Sequence, residues 1–309
     1  MSTCVVAVDI GGTKIATAYI DPADPTRVHA RATRGTCAAQ GSSAVLAEVQ
    51  AAIAQTIDAA TAAGVHPAAV GIGAPGVVDP TTGVVVAAGP TMPGWAGTEL
   101  AAAVREATGL PVAVQNDVRV MGLGEAVFGA GNGFADVLFV SIGTGIGGAI
   151  IRGGSLEDSP HYSRGEIAYL YGPTPDGGCD IIENIGSGPA LTRAYLAHSG
   201  ELVSKVDLRE IMRRYRSGDD LARQVITGGM TGVGRGLAGF INAYDVEAVV
   251  LGGGVGTIGN EISEPLTTAL HQALLPALAE LPVVPAALGT DAPLVGAAYL
   301  GSLLLEGRA

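Results

Sequence analysis

The chain opens on an apolar run, Val5-Val6-Ala7-Val8, that ends at Asp9 and turns through Ile10-Gly11-Gly12-Thr13-Lys14 into a second apolar run. Apolar, β-branched residues on both sides of a Gly/Thr turn predict a buried hairpin, with strands over 4–10 and 14–20. Half a chain later the pattern returns, as strands over 137–143 and 148–152 around Gly143-Thr144-Gly145. Laid over each other, Ile10-Gly11 falls on Ile142-Gly143. Apolar positions three and four apart predict helices over 43–64 and 99–108, and from 118 to 128. The same spacing predicts helices over 188–198, 207–216, 219–243, 260–274 and 293–305. Short apolar runs at 69–73, 112–114 and 246–251 read as buried strands, and the Gly- and Pro-rich segment 153–186 reads as a structured loop.

A hairpin, a strand and a helix in each half predict an α/β protein of two similar lobes. The expected first lobe is 1–115 plus 293–309 and the second is 116–292, with a hinge near 112–117. The last helix is expected to pack back on the first lobe. Glycine permits the positive φ of a tight turn and the close approach of a ligand. Successive backbone N–H groups in such turns make anion-binding concavities. Two of them, one from each half, suit a polyphosphate and hence a nucleotide.

Composition narrows the classes. The chain has 309 residues, a formal net charge of −12, 48% hydrophobic residues and 47 glycines. It has no basic face for nucleic acid; the arginines of 209–216 read as the solvated side of a helix. Cys4, Cys37 and Cys179 are few and scattered, which implies no disulfide framework and suits a reducing compartment. No apolar run approaches about 18 residues and no signal segment precedes the first strand, so a soluble, cytoplasmic protein without membrane association is expected.

In order along the chain, Asp9-Ile10-Gly11-Gly12-Thr13-Lys14, Gly73-Ala74-Pro75-Gly76-Val77-Val78-Asp79, Pro93-Gly94-Trp95, Asn116-Asp117, Thr144-Gly145-Ile146-Gly147-Gly148, Gly165-Glu166 with Glu183, and Gly252-Gly253-Gly254 resemble the motifs of the ROK family of sugar kinases. That family lies within the actin/hexokinase/Hsp70-like ATPase superfamily. The resemblance implies a two-lobed, ribonuclease H-like α/β fold with duplicated sheets and an interlobe cleft. It implies ATP and magnesium, a small sugar as acceptor, and a homodimer. Gly11, Gly12, Thr13 and Lys14 are then the first phosphate loop, Thr144 and Gly145 the second, and Gly252, Gly253 and Gly254 the adenosine side. Asp9 contacts magnesium through water, although an Asx turn is the alternative. Related repressors carry an N-terminal DNA-binding domain, which is not expected here.

Asp117 is the candidate general base. A sugar hydroxyl is too weak an acid to ionise alone, so a carboxylate within hydrogen-bond reach orients it and takes its proton. The plainer reading makes Asp117 the cap of the following helix. Asn116 can donate and accept toward adjacent hydroxyls, and Glu166 and Glu183 can each accept from two vicinal hydroxyls. Either glutamate could instead be a surface residue. Gly76 offers a backbone group to the sugar or is an ordinary turn glycine.

The chain departs from the family where a histidine and a cysteine cluster bind zinc. Tyr169 takes the histidine position, and Thr174, Asp176 and Ile181 take cysteine positions, with Cys179 alone between them. Four ligands are needed for a structural site, so no zinc is expected and the loop must be held by packing and hydrogen bonds. Tyr169 either enters the pocket or becomes a core aromatic. Two acids beside a pocket without histidine or zinc make a cationic amino-sugar a candidate, as in the ROK-type kanosamine kinases of actinomycetes. The expected activity is therefore ATP-dependent phosphorylation of a hexose or amino-hexose, at O6. The alternatives are a weakly catalytic sugar-binding regulator and an actin-like ATPase without sugar specificity.

Overall fold

The strand over Thr3–Ile10 (β1) is buried along nearly its whole length, which is why it reads as an unbroken apolar run. In the computed structural model, which describes residues 2–89, 92–157, 159–201 and 206–308, it is followed by β2 (Lys14–Ile20), β3 (His29–Gly35), α1 (Ser42–Ala62) and β4 (His66–Ala74). Then come β5 (Val77–Asp79), β6 (Val84–Ala87), α2 (Leu100–Thr108), β7 (Val112–Asn116) and α3 (Asp117–Phe128). The chain continues through β8 (Asp136–Ile142), β9 (Ile146–Arg152), β10 (Ser155–Leu156), β11 (Tyr171–Pro173), β12 (Cys179–Ile181) and α4 (Ile182–Gly186). It then forms α5 (Gly188–Ser199), α6 (Leu208–Arg216), α7 (Asp220–Tyr244), β13 (Ala248–Gly252) and α8 (Gly253–Gly256). It ends with α9 (Asn260–Ala273), β14 (Val283–Pro285) and α10 (Ala292–Leu305).

These elements divide into two compact units, Met1–Gly133 with Ile150–Arg164 and Ala287–Ala309, and Phe134–Ala149 with Gly165–Ala286. The expected division puts α3 in the second part, whereas its packing keeps it in the first. The reason is close approach of two helices. Gly124 on α3 and Gly296 on α10 let the helices touch: a Cβ at Gly296 would lie 1.8 Å from the Val120 carbonyl oxygen, and one at Gly124 would lie 2.8 Å from that of Ala292. Glu125, fully buried, reinforces the junction by accepting backbone N–H bonds from Ala130 (3.1 Å), Ala287 (2.9 Å) and Leu288 (2.7 Å).

The first unit's sheet runs β3-β2-β1-β4-β7, with β1, β4 and β7 parallel. Side chains alternate across a strand, so the sheet separates two packing layers. Val6, Val8, Ile10, Val70 and Ile72 pack with Val45, Val49 and Ile53 of α1. The opposite face receives α10, close enough that a Cβ at Gly71 would lie 1.8 Å from the Ala297 carbonyl oxygen. The last helix thus packs on the first unit's sheet.

In the second unit β8, β13 and β14 are neighbours in that order, β13 being parallel to both β8 and β14. The segment expected as a loop contains the β11–β12 hairpin, which lies on a glycine face of α7. A Cβ at Gly172 would meet the Gly232 carbonyl oxygen at 2.4 Å, and one at Gly236 would meet Ile182 Cγ2 at 2.5 Å. Of the arginines of α6, Arg209, Arg213 and Arg216 are exposed, while Arg214 is half-buried against Tyr195 and donates to its hydroxyl; Glu210 pairs with Arg213 and Arg214, and Arg216 pairs with Glu261. Among the described residues no helix is long and apolar enough to cross a membrane.

Candidate functional site

The carboxyl ends of β1, β4 and β7 bring together Asp9, the Gly73–Gly76 turn and the Asn116-Asp117 pair. Ligands of open parallel sheets bind at such ends. Asp9 is in register with Gly73, and Gly73 with Gln115. Gly73 has no side chain between its neighbours, and a Cβ there would stand 3.4 Å from the Asp117 Cα. The Asp9 and Asp117 carboxyls therefore feel each other's charge. Burial pushes Asp117 up to about 7, with Asp9 adding to the rise and the Val118 N–H and Asn116 opposing it. Burial also pushes Asp9 up to about 6, opposed by the Arg31 guanidinium.

Asn116, not Asp117, caps α3. Its Oδ1 accepts from the Arg119 N–H at 3.1 Å. Its Nδ2 donates to the Gly76 carbonyl at 2.9 Å and to Asp117 Oδ1 at 3.0 Å. Asn116 is thus occupied in positioning its neighbours. Asp117 Oδ1 also accepts from the Val118 N–H at 2.9 Å. Among the described residues no hydrogen bond falls on Asp117 Oδ2, and the residue keeps an opening to solvent. Gly76 has φ +99°, and a Cβ there would lie 2.3 Å from the Ala87 carbonyl oxygen, so only glycine fits. Trp95 is fully buried and donates from Nε1 to the Pro75 carbonyl at 3.1 Å, fixing the same turn.

The first glycine loop is closed by the Gly11 N–H on the Lys14 carbonyl at 2.8 Å. Thr36, which no sequence motif marks, holds it from below. Its Oγ1 donates to the Gly11 carbonyl at 2.7 Å and its N–H donates to the Thr13 carbonyl at 3.1 Å. Gly12, Thr13 and Lys14 are exposed at the loop's tip.

In the second unit the loop after β8 is pinned at both ends. The Gly143 carbonyl accepts from the Gly188 N–H at 2.8 Å, while the Ile146 N–H donates to Glu183 Oε2 at 2.9 Å. Gly253, with φ +81°, runs against Ile142, where a Cβ would meet its carbonyl oxygen at 2.4 Å. Gly143, Thr144, Gly188, Arg193, Met212 and Gly254 are among the residues around an open, largely apolar cavity of about 820 Å³. That size suits a nucleoside.

Gly165, with φ +92°, packs on Gly148 and leads to Glu166, which is half-buried. Tyr169 is 70% exposed, so it is not the core aromatic that one reading expected. Thr174, Asp176 and Cys179 are on the β11–β12 hairpin or its turn; the Thr174 hydroxyl and the Gly178 N–H both donate to Asp176 Oδ1. Among the described residues no group of three or more His, Cys, Asp or Glu is placed to hold a metal ion.

Two units, each with a glycine hairpin at one end of a mixed sheet, define the actin-like class of α/β phosphotransferase fold. The ROK family model matches residues 5–302, and the chain belongs to the ROK family. It is similar to the ROK hexokinase of Thermus thermophilus, with a TM-score of 0.84 and 31% identity covering 99% of this chain and 100% of that one. It is similar also to a ROK glucokinase from Streptomyces griseus solved with glucose and AMPPNP, with a TM-score of 0.78 and 30% identity covering 97% and 99%. A Clostridium perfringens protein of uncharacterised function is 34% identical over 191 residues, which span 62% of this chain and 63% of that one.

Proposed function

We propose that the protein is an ATP-dependent sugar kinase that phosphorylates a hexose or amino-hexose, at O6. The observation that carries this reading is Asp117, a carboxylate at the head of α3 with one oxygen open and its pKa held near 7 by burial. A base is most useful when its pKa lies near the working pH. The hexokinase and glucokinase structures to which nearly the whole chain is similar support the same reading.

In the proposed reaction Asp117 Oδ2 accepts the proton of the acceptor hydroxyl as its oxygen bonds to the γ-phosphorus of ATP, and the bond from that phosphorus to the bridging oxygen breaks to release ADP. Asn116 holds Oδ1, so the open oxygen keeps one orientation. Glu166 and the remaining oxygen of Glu183 accept bonds from ring hydroxyls or an ammonium group. Gly11–Lys14 and Thr144–Gly145 supply backbone N–H groups and a cation to the phosphates, and the apolar cavity beside Gly254 takes the nucleoside. Magnesium, which neutralises phosphate charge in such reactions, fits Asp9. This is a hard oxygen donor, and its burial beside a second carboxyl favours a nearby cation.

A coupled assay of ADP release tests the reading. The panel is glucose, mannose, N-acetylated hexosamines and free amino-sugars, with ATP or inorganic polyphosphate as donor. Sugar-dependent turnover that disappears in Asp117→Ala is expected. ATP hydrolysis at full rate without sugar would favour the actin-like ATPase, and sugar binding without turnover would favour a regulator.

A further inference from the structure

Glu183 is a candidate acid for the acceptor, yet its contacts in the second unit are with the donor loop. The Oε2 atom accepts from the Ile146 N–H at 2.9 Å. The same oxygen lies against Gly145, where a Cβ would stand 2.6 Å from it. Five residues further along, Gly188 donates to the Gly143 carbonyl at 2.8 Å, and within the loop Gly143 donates to the Gly145 carbonyl at 2.8 Å. The segment 183–188 therefore clasps both ends of the turn. The N–H groups of Gly143 and Ile146 are consumed by these bonds. Among the described residues no hydrogen bond falls on the N–H groups of Thr144 and Gly145, and Thr144 lines the cavity. A glycine turn has many conformations, and one that presents two adjacent N–H groups needs an external brace.

We infer that Glu183 is a positioning residue of the donor loop, holding the 143–146 backbone so that the Thr144 and Gly145 N–H groups receive the nucleotide's phosphates. The inference rests on the kinase reading and deepens it. It makes the loop's shape depend on an acceptor oxygen under Ile146 rather than on negative charge. That distinction is testable, because glutamine keeps such an oxygen and alanine does not.

The experiment measures binding of AMPPNP with magnesium by calorimetry, in the absence of any sugar. Loss of a bond to a charged group in this setting corresponds to between about tenfold and a hundredfold in affinity. Glu183→Ala is expected to bind AMPPNP weaker by that factor, and Glu183→Gln to stay within about threefold of wild type. If alanine leaves AMPPNP binding within about twofold while the sugar KM rises, Glu183 serves the acceptor alone and the inference is wrong. It is equally wrong if glutamine falls as far as alanine. Should Glu183→Ala lack native circular dichroism, Gly145→Ala supplies the test, since its added carbon displaces the carboxylate. A wild-type protein that binds no nucleotide overturns both readings. One that binds and phosphorylates normally, with variants unchanged, overturns this inference alone.

Discussion

The Asn116 side chain donates to the Gly76 carbonyl at 2.9 Å while its own oxygen caps α3 on the Arg119 N–H. One amide thus joins the turn after β4 to the helix that begins with the candidate base. Asn116→Ala removes the cap, at about 1 kcal/mol, and leaves the Gly76 carbonyl without this donor. Urea unfolding is expected to show a loss of about 1–2 kcal/mol, and turnover should fall because Asp117 is no longer oriented. Turnover equal to wild type would mean that Asp117 is held by other contacts.

Asp117 must be ionised to accept a proton. With its pKa near 7, kcat/KM is expected to climb with pH and level off above about 7. A profile flat from about pH 5.5 to about 8.5, a window centred on that value, would remove Asp117 from the role of base.

The same shift has a consequence for stability. Asp117 is raised above the ordinary carboxylate value, so the folded state binds its proton more tightly than the unfolded state does. That preference stabilises the fold at low pH and is lost as pH rises from about 4 to about 7. Asp117→Asn does not titrate. Its stability relative to wild type is therefore expected to improve on going from acid to neutral pH, measured by denaturant unfolding at each pH. The opposite slope would show that the carboxylate is stabilised in its charged form.

Glu125 is fully buried and receives three backbone N–H groups. Replacing it by alanine strands those donors, each costing about 1–3 kcal/mol. A loss of about 3–5 kcal/mol is expected for Glu125→Ala, and a smaller loss for glutamine, which keeps one acceptor. A change below about 1 kcal/mol would show that water or a shifted backbone replaces the carboxylate.

Gly296 is required by contact rather than conformation. An added methyl would overlap the Val120 carbonyl, and overpacking of this kind costs about 1–3 kcal/mol or more. Gly296→Ala is expected to lower the midpoint of thermal unfolding clearly, whereas Gly12→Ala, with nothing within 4 Å of the added carbon, should leave it nearly unchanged.

Periodicity reveals the long elements because burial on one or both faces repeats along them. The hairpins β1–β2 and β8–β9, the helices α1, α5, α6, α7, α9 and α10, and the strands β4, β7 and β13 all follow expectation within a few residues. β3 escapes such a reading because it alternates exposed and half-buried positions with few apolar residues. β11 and β12 escape it because three-residue strands carry no period. The glycine turns, Asn116 and Asp117 are legible from composition and order. Glu125 carries a signal of its own, a lone charge inside the apolar stretch Gly122-Leu123-Gly124-Glu125-Ala126-Val127. Thr36 and the bond from Ile146 to Glu183 are not legible, since both depend on segments far apart in the chain.

The hairpin β11–β12 rests on α7 through backbone contacts at Gly172, Gly232 and Gly236. Its height above the helix is set to within an atom's width by residues that have no side chain. Adding one carbon on α7 would lift the hairpin and everything continuous with it, including the turn into α4 where Glu183 begins its reach toward Ile146. Variation in the 143–146 loop would thus enter through the glycine face of α7, which makes that helix a handle for retuning the loop.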